Sequence, residues 1–392
     1  MTQEPKIFPY IARLLQGAEV VWKPLGEVAE LKRGTTITKK TSNEGIYPVI
    51  SGGQQPAYYI DQFNRDGETI TVAGSGAYAG FVMYWNEPIF VGDAFSVKAD
   101  EKQVLPRFIY HFLLSIQEKI HDLKSGGGVP HVYAKDVARF VIPLPPLSVQ
   151  QEIVRILDKF TTLEAELEAE LEARKKQYKY YRDDLLTFGD EVEWKALGEV
   201  GTFIRGNGLQ KKDFVKRGIG CIHYGQIYTY YGIKASETIS FVTENLAKTL
   251  RKASHNDLII AGVSENIEDV CKCVVWEGKD DICVSGDTFV FKTDQNPHYI
   301  GHLLRTDNFL NYKRKNAIGA KVTRLQAGSL PKYTIPLPPL SEQQRIAAIL
   351  DKFDTLTASI SEGLPREIEL RKKQYEYYRE QLLSFPEHKV TA

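Results

Sequence analysis

The 392-residue sequence has no excess of charge of either sign, since 50 Lys and Arg residues cancel 50 Asp and Glu. Neutralising phosphates and releasing their counterions is what holds a protein non-specifically on nucleic acid, and a neutral chain has little of that hold. The balance is also local: residues 1–142 carry 15 charges of each sign, and residues 190–336 carry 20 basic against 17 acidic. No apolar run is long enough to cross a bilayer, and MTQEPKIFPYIARLL at the N-terminus lacks the basic-then-apolar pattern of a secretion signal. This reads as a cytoplasmic protein with no membrane contact. Cysteine is scarce. Cys221, Cys271, Cys273 and Cys283 all fall in the second half, without CxxC pairs or adjacent histidine, so they read as reduced packing thiols rather than a zinc site.

Signatures of catalysis are missing as well. No GxxxxGK[ST] loop occurs, which removes a built-in ATPase. The two Leu-Pro-Pro-Leu stretches lack the polar first residue with which the Asn/Asp-Pro-Pro-Tyr/Phe motif of amino-methyltransferases grips a flipped base. Glu193-Trp194-Lys195 imitates the end of a nuclease motif, yet its copy reads Val21-Trp22-Lys23; a carboxylate lost in one copy makes the phrase structural. The histidines are scattered, with no HxxxH or Ser-His-Asp grouping, and no residue is assigned to catalysis or to a metal. With 43% hydrophobic and 11% aromatic residues, the chain can nonetheless bury the cores of two or three domains.

What the sequence does have is a long phrase said twice. IPLPPLSVQQEIVRILDKF at 142–160 and IPLPPLSEQQRIAAILDKF at 335–353 agree at 15 of 19 positions, and both run on through RKKQY to LLTF or LLSF. A second echo matches residues 193–200, EWKALGEV, to residues 21–28, VWKPLGEV. The segments between the echoes differ, apart from fixed points such as Ala73-Gly74 with Ala261-Gly262 and Gly92-Asp93 with Gly286-Asp287. A frame kept twice around two varied inserts presents two different surfaces in one geometry. The strands predicted at 68–73 and 89–97 are echoed at 257–261 and 283–291, and helices are predicted at 106–122 and 297–312.

The implied fold class is α+β: two mixed α/β domains separated by two long antiparallel coiled-coil helices in a pseudo-twofold, cyclic arrangement. The expected boundaries are a first domain with a short N-terminal helix at 1–147, a spacer helix at 148–188, a second domain at 189–340, a second helix at 341–386 and a tail at 387–392. Pro143, Pro145 and Pro146, like Pro336, Pro338 and Pro339, give stiff entries, and Ser148 with Gln151, or Ser341 with Gln344, fits a capping box. Ile153, Ile156, Phe160, Leu163 and Leu167 form the predicted helix seam, answered by Ile346, Ile349, Phe353, Leu356 and Ile360. The phase then slips by four in each helix, as a stutter. Roughly forty helical residues would span about 60 Å, longer than one turn of duplex DNA. Four extra residues around Gly363 and Pro365 in the second helix either kink it or loop out, and the return of RKKQY to register favours the loop. The N-terminal stretch 6–16 resembles the tail end of such a helix and is expected to lie where the second helix finishes.

Candidate nucleic-acid contacts combine glycine with basic or amide side chains that reach phosphates and base edges. In the first domain these are Lys32, Arg33, Lys39 and Lys40, then Gln54 and Gln55 in loop 51–55, Ser75 and Tyr78 in loop 74–78, and His131 closing loop 125–131. In the second they are Arg205, Asn207, Lys211 and Lys212, then Tyr224 and Gln226, loop 264–266, the run Lys313, Arg314 and Lys315, and Lys321 with Arg324. Any single one of these is equally a solvated side chain; the clusters carry the argument.

Two variable domains alternating with two helices, each helix introduced by PLPPLSxQQ and leading through RKKQY, resemble the DNA-specificity subunit of a type I restriction-modification enzyme over essentially the whole chain. The resemblance implies that each domain reads one half of a split, asymmetric site in double-stranded DNA. It implies that the helices fix the spacer and dock two modification subunits, which bind S-adenosylmethionine and methylate adenine, and that restriction subunits join with ATP and Mg2+. No cofactor is expected in this chain. The interruption at 363–365 departs from a matched helix pair and leaves the spacer open. A methylation-only specificity subunit would share this architecture, and a coiled-coil spacer carrying two ligand-binding heads would share its seam.

Overall fold

A computed structural model describes residues 8–319, 321–326, 328–358 and 362–385. The chain divides into two units, Met1–Glu164 with Arg371–Ala392, and Ala165–Leu370. The division falls inside the repeated helices, so each unit holds one variable domain and a stretch of both helices.

In unit one the main sheet is antiparallel, ordered Ala29–Arg33, Ala94–Ala99, Thr69–Ala73 and Val82–Trp85. Its strand TITVA is buried along its whole length, as suits a β-branched run with both faces covered. The helix Pro106–Ser115 packs on this sheet through Phe108, Ile109, Phe112 and Leu113. A smaller sheet pairs Tyr47–Ile50 with Phe90–Val91 in parallel and with Tyr59–Ile60 antiparallel. Unit two repeats the plan. Its main sheet runs Gly201–Arg205, Thr288–Thr293, Leu258–Ala261, Cys273–Trp276 and Lys234–Ala235, and its second sheet again contains a parallel pair, Ile219–Ile222 with Ile282–Val284. The helix Pro297–Leu303 takes the place of Pro106–Ser115.

Several predicted elements prove to be two. Residues 89–97 divide at Gly92-Asp93, so that Phe90–Val91 and Ala94–Ala99 serve different sheets, and residues 283–291 divide in the same way at 285–287. Residues 106–122 break at Ile116 into Pro106–Ser115 and Gln117–His121. Residues 297–312 break before Thr306, whose hydroxyl accepts from the Phe309 amide and starts Asp307–Asn316.

The two repeated phrases are the two strands of one ribbon. Val21–Pro24 pairs antiparallel with Val141–Leu144, and Glu193–Ala196 pairs in the same register with Thr334–Leu337. Pro143 and Pro336 therefore lie within two-stranded ladders, where a missing donor is tolerated.

The first long helix runs unbroken from Leu147 to Leu185, through the stutter. Ser148 already lies inside it, and the next helix opens at Leu340, so the expected serine caps give way to other bonds. The buried amide of each phrase is Gln150 or Gln343, whereas Gln151 and Gln344 are exposed. Gln150 Nε2 donates to Gln103 O (3.0 Å) and Pro145 O (2.9 Å), and its Oε1 accepts from the Leu105 amide (3.0 Å). Gln343 donates to Pro338 O (2.9 Å) and accepts from the Asn296 amide (3.1 Å). Each helix is thus clamped to the loop that feeds its domain's helix.

The predicted seam positions fall into two groups by burial. Ile153 and Leu157 are fully buried in the core that domain one shares with Tyr375 and Leu382 of the second helix, and Ile346 and Leu350 are buried in the corresponding core of unit two. Ile156, Phe160, Leu163 and Leu167 form a second, half-buried stripe, as do Ile349, Phe353 and Leu356. Phe160 stacks on Tyr378 at 5.4 Å, while Phe353 lies against Tyr178 (6.1 Å) and Tyr181 (5.7 Å). A helix with two partners carries two stripes, which a single periodicity merges. In unit one the start of the first helix meets the end of the second; in unit two the end of the first meets the start of the second. The pairing is antiparallel in both.

The second helix consists of Leu340–Ala358 and Leu364–Leu382. Gly363 takes φ +82°, and a Cβ there would come 2.3 Å from Thr355 O. Pro365 then sits in the first turn of the second segment, where no amide donor is required, so it opens a helix instead of kinking one. Ile360 lies outside the described residues. The N-terminal helix Pro9–Leu15 shares a core with Leu382, Leu383 and Phe385, and the Tyr10 hydroxyl donates to Glu152 Oε1 (2.6 Å).

Candidate nucleic-acid interface

The fold gathers three of the first domain's candidate loops. The Ser75 segment bridges to His131, which itself bridges to Ser125: Gly76 N donates to Pro130 O (3.0 Å) and His131 N to Ser125 O (2.8 Å). Loop 51–55 backs onto them so closely that a Cβ on Gly52 would meet Ser75 O at 2.4 Å. The Ser75 hydroxyl donates to Asp93. Arg33, at the end of its strand, lines one small groove with Gly74, Asp93, Phe95, His131 and Tyr133. Gln54, Gln55 and Tyr78 are exposed nearby in sequence to these loops, and Lys32 is exposed on the Arg33 strand. Lys39 and Lys40 lie in an exposed turn whose hydrogen bonds run between Thr38, Thr41 and Ser42.

Unit two builds the same groove from equivalent positions. Arg205 ends the corresponding strand, its Nε donating to Gly286 O (3.1 Å) and its guanidinium pairing with Asp287 (3.6 Å). Gly262 permits close approach, since a Cβ would meet Phe289 at 2.9 Å. Ser264 and Thr323 exchange both backbone bonds (3.0 and 2.7 Å), which brings in the hairpin Ala317–Ile318 with Arg324–Leu325. Arg324 lines the resulting cavity of about 350 Å³ with Arg205, Asp287, Phe289 and Ile318; its counterpart in unit one is about 40 Å³. Guanidinium and carboxylate groups are among those that read base edges, Arg for guanine and Asp for cytosine.

Other candidates are placed differently. The Asn207 amide is committed to backbone, donating to Thr249 O (2.9 Å) and accepting from Arg251 N (2.6 Å). Gln226 accepts from His223 N (2.9 Å) and donates to Ser240 Oγ (2.7 Å), holding the start of the helix Tyr224–Thr229. Tyr224 is half-buried against the His223 ring at 4.3 Å. Lys313 is withdrawn from the surface: it is buried, and its ammonium donates to Glu268 O (2.8 Å) and Val270 O (2.9 Å). Its burial lowers its pKa. Lys211, Lys212, Arg314, Lys315 and Lys321 are exposed. All four cysteines are buried thiols. Among the described residues no cluster of three His, Cys, Asp or Glu could hold a metal, and no helix is long and apolar enough to cross a membrane.

A family model for the type I restriction modification DNA specificity domain matches residues 18–173 and again 189–370, one copy for each ribbon-closed domain and the helix it feeds. The chain belongs to the type I DNA-specificity family. Among its relatives, the Escherichia coli type I restriction enzyme EcoR124I/EcoR124II specificity subunit is 33% identical over 98% of each chain. A putative type I specificity subunit of Haemophilus influenzae is 32% identical over 96% of this chain and 98% of its own. The crystal structure of a type I S subunit from M. genitalium shares the fold, with TM-score 0.64 and 18% identity over 94% of this chain and 96% of that one.

In this specificity subunit, sequence reasoning passed over the polar groups that mount each domain. Asp158 in ILDKF accepts from His111 Nε2 (2.7 Å) and Arg107 Nε (3.0 Å), and Asp351 from His302 Nε2 (2.8 Å). Burial raises both aspartate pKa values, but hydrogen bonds from these neighbours outweigh it and the net shift is downward. Desolvation lowers the pKa of His111 and His302, which keeps them neutral. A signal was available: each histidine falls five residues after the proline that opens its helix, Pro106 or Pro297.

Proposed function

We propose that this chain is the non-catalytic DNA-reading subunit of a type I restriction-modification complex, each domain reading one half of a bipartite, asymmetric site. The observation that carries the reading is the groove built twice on one frame and furnished differently, with Arg33, Ser75, Asp93 and His131 in one and Arg205, Asp287 and Arg324 in the other. The helices set the spacer and dock two modification subunits, and the repetition of their phrases suits two copies of one partner. Those subunits bring S-adenosylmethionine and the methylation of adenine; restriction subunits, with ATP and Mg2+, complete the complex in the cytoplasm. A neutral reader contributes base contacts, while partners that enclose the duplex add the phosphate contacts it lacks.

The test is to co-express the chain with its modification subunits and map methylated adenine across the host genome. A two-part motif is expected. Replacing residues 190–336 with another family member's domain changes one half of it and leaves the other; a change in both halves overturns the reading. In gel-shift titrations, binding is expected to be salt-sensitive and to strengthen greatly when modification subunits are added, and equal affinity of the isolated chain contradicts it.

A further inference from the structure

Each domain meets its helices through the same three polar side chains. In unit one His111, with no exposed surface, lies between Asp158 on the first helix (2.7 Å) and the Tyr375 hydroxyl on the second (2.8 Å). In unit two His302, also without exposed surface, lies between Asp351 on the second helix (2.8 Å) and the Tyr178 hydroxyl on the first (3.1 Å). A carboxylate only accepts, so each Nε2 carries the proton, each Nδ1 accepts, and each tyrosine donates. The aspartates occupy the same place in ILDKF and the tyrosines the same place in RKKQY. What flanks the trio differs: Arg107 also bonds Asp158, whereas the equivalent His298 Nδ1 lies 2.8 Å from Asp351 Oδ2.

Well-packed apolar residues would hold a helix on a domain at least as firmly as buried polar groups do, and without the risk of an unmet bond. Apolar contact, however, has no direction, and a domain can roll or slide on it. Hydrogen bonds to the two nitrogens of one ring fix distance and angle toward both helices at once. The same trio under two domains with different loops points to mounting, not to the surface being mounted. We propose that the Tyr–His–Asp relay is a positioning device that sets the attitude of each domain on its helices, and thereby the spacing at which the complex accepts two half-sites. It rests on the half-site reading above. Duplex DNA turns by about 34° per base pair, so a domain free to roll would accept neighbouring spacings that a pinned one rejects.

The experiment uses the full chain with its modification subunits in a host without adenine methylation of its own, read by genome-wide mapping of N6-methyladenine. Tyr375→Phe and Tyr178→Phe each remove one hydroxyl and keep the ring; His111→Gln and His302→Gln disturb both bonds, and the tyrosine variants carry the test if these fail to accumulate. Expected is an unchanged pair of half-site sequences, with methylation at spacings one base pair shorter or longer raised roughly fivefold relative to the cognate spacing, about the weight of one directional bond. Methylation that is unchanged, or that falls evenly at every site with no gain at neighbouring spacings, overturns the relay alone. A wild-type chain that yields no two-part motif overturns the half-site reading and the relay with it.

Discussion

Replacing Gln150 by leucine tests whether the repeated glutamine is a clamp. The side chain has no exposed surface and makes three bonds to backbone, at 2.9–3.0 Å. Leucine fills a similar volume but leaves the Gln103 and Pro145 carbonyls and the Leu105 amide without that partner. Unmet groups of this kind cost about 1–3 kcal/mol when buried, and less where water can reach them. Two of the three bonds are only partly buried, so the sum is about 3–5 kcal/mol. The better burial of leucine offsets about 1 kcal/mol, leaving a loss of about 2–4. For a unit of this size, 1 kcal/mol moves the midpoint by about 2–4 °C, so unit one should melt roughly 5–15 °C lower. Differential scanning calorimetry of the full chain measures it. Gln151→Leu, at an exposed position, should stay within about 0.5 kcal/mol of wild type. Equal effects of the two substitutions would refute the clamp.

The counterpart Gln343→Leu should lower the transition of unit two instead, by a similar amount, in the same calorimetric scans. Acid should destabilise both units in two stages. His111 and His302 are held neutral by burial, so their contribution is full above about pH 6.5 and is lost as pH falls below it. Asp158 and Asp351, whose pKa values are lowered, add a loss below about pH 4. Melting temperatures across a pH series should therefore be flat above pH 7, and the double variant His111→Gln/His302→Gln should flatten the upper stage. Lys313→Met leaves two carbonyls unmet and should cost about 2–3 kcal/mol. Lys315→Met at the exposed neighbour should leave melting unchanged and reduce the salt dependence of DNA binding by about one counterion. Gly363→Ala, forced into φ +82° against Thr355 O, should cost about 1–3 kcal/mol in thermal melting.

The architecture was legible because it is written twice. Repetition exposed both domains, both helices and the equivalence of Gly92-Asp93 with Gly286-Asp287, which turn out to bend the chain between sheets. What repetition could not reveal was direction. The heptad pattern counted Ile153 with Phe160, although Ile153 is fully buried in the shared core and Phe160 is half-buried against Tyr378. Nor does a spacing rule tell Gln150 from Gln151. The bond between His111 and Tyr375 spans 264 residues, so nothing local announces it. For the interface, loops rich in glycine were recognisable, but Asn207 and Gln226 spend their amides on neighbouring chain, and Lys313 is drawn inside by two carbonyls. Composition identifies which side chains are able to touch a ligand; the backbone partners that claim some of them first arise only on folding.

Because Val21–Pro24 lies beside Val141–Leu144, and Glu193–Ala196 beside Thr334–Leu337, the polypeptide leaves each insert at the doorway by which it came in. A stretch of gene bounded by those two short strands is accordingly a cartridge with a single, standard socket. Exchanging one such stretch for another is therefore expected to leave the closing ribbon intact, since its register is the same in both halves.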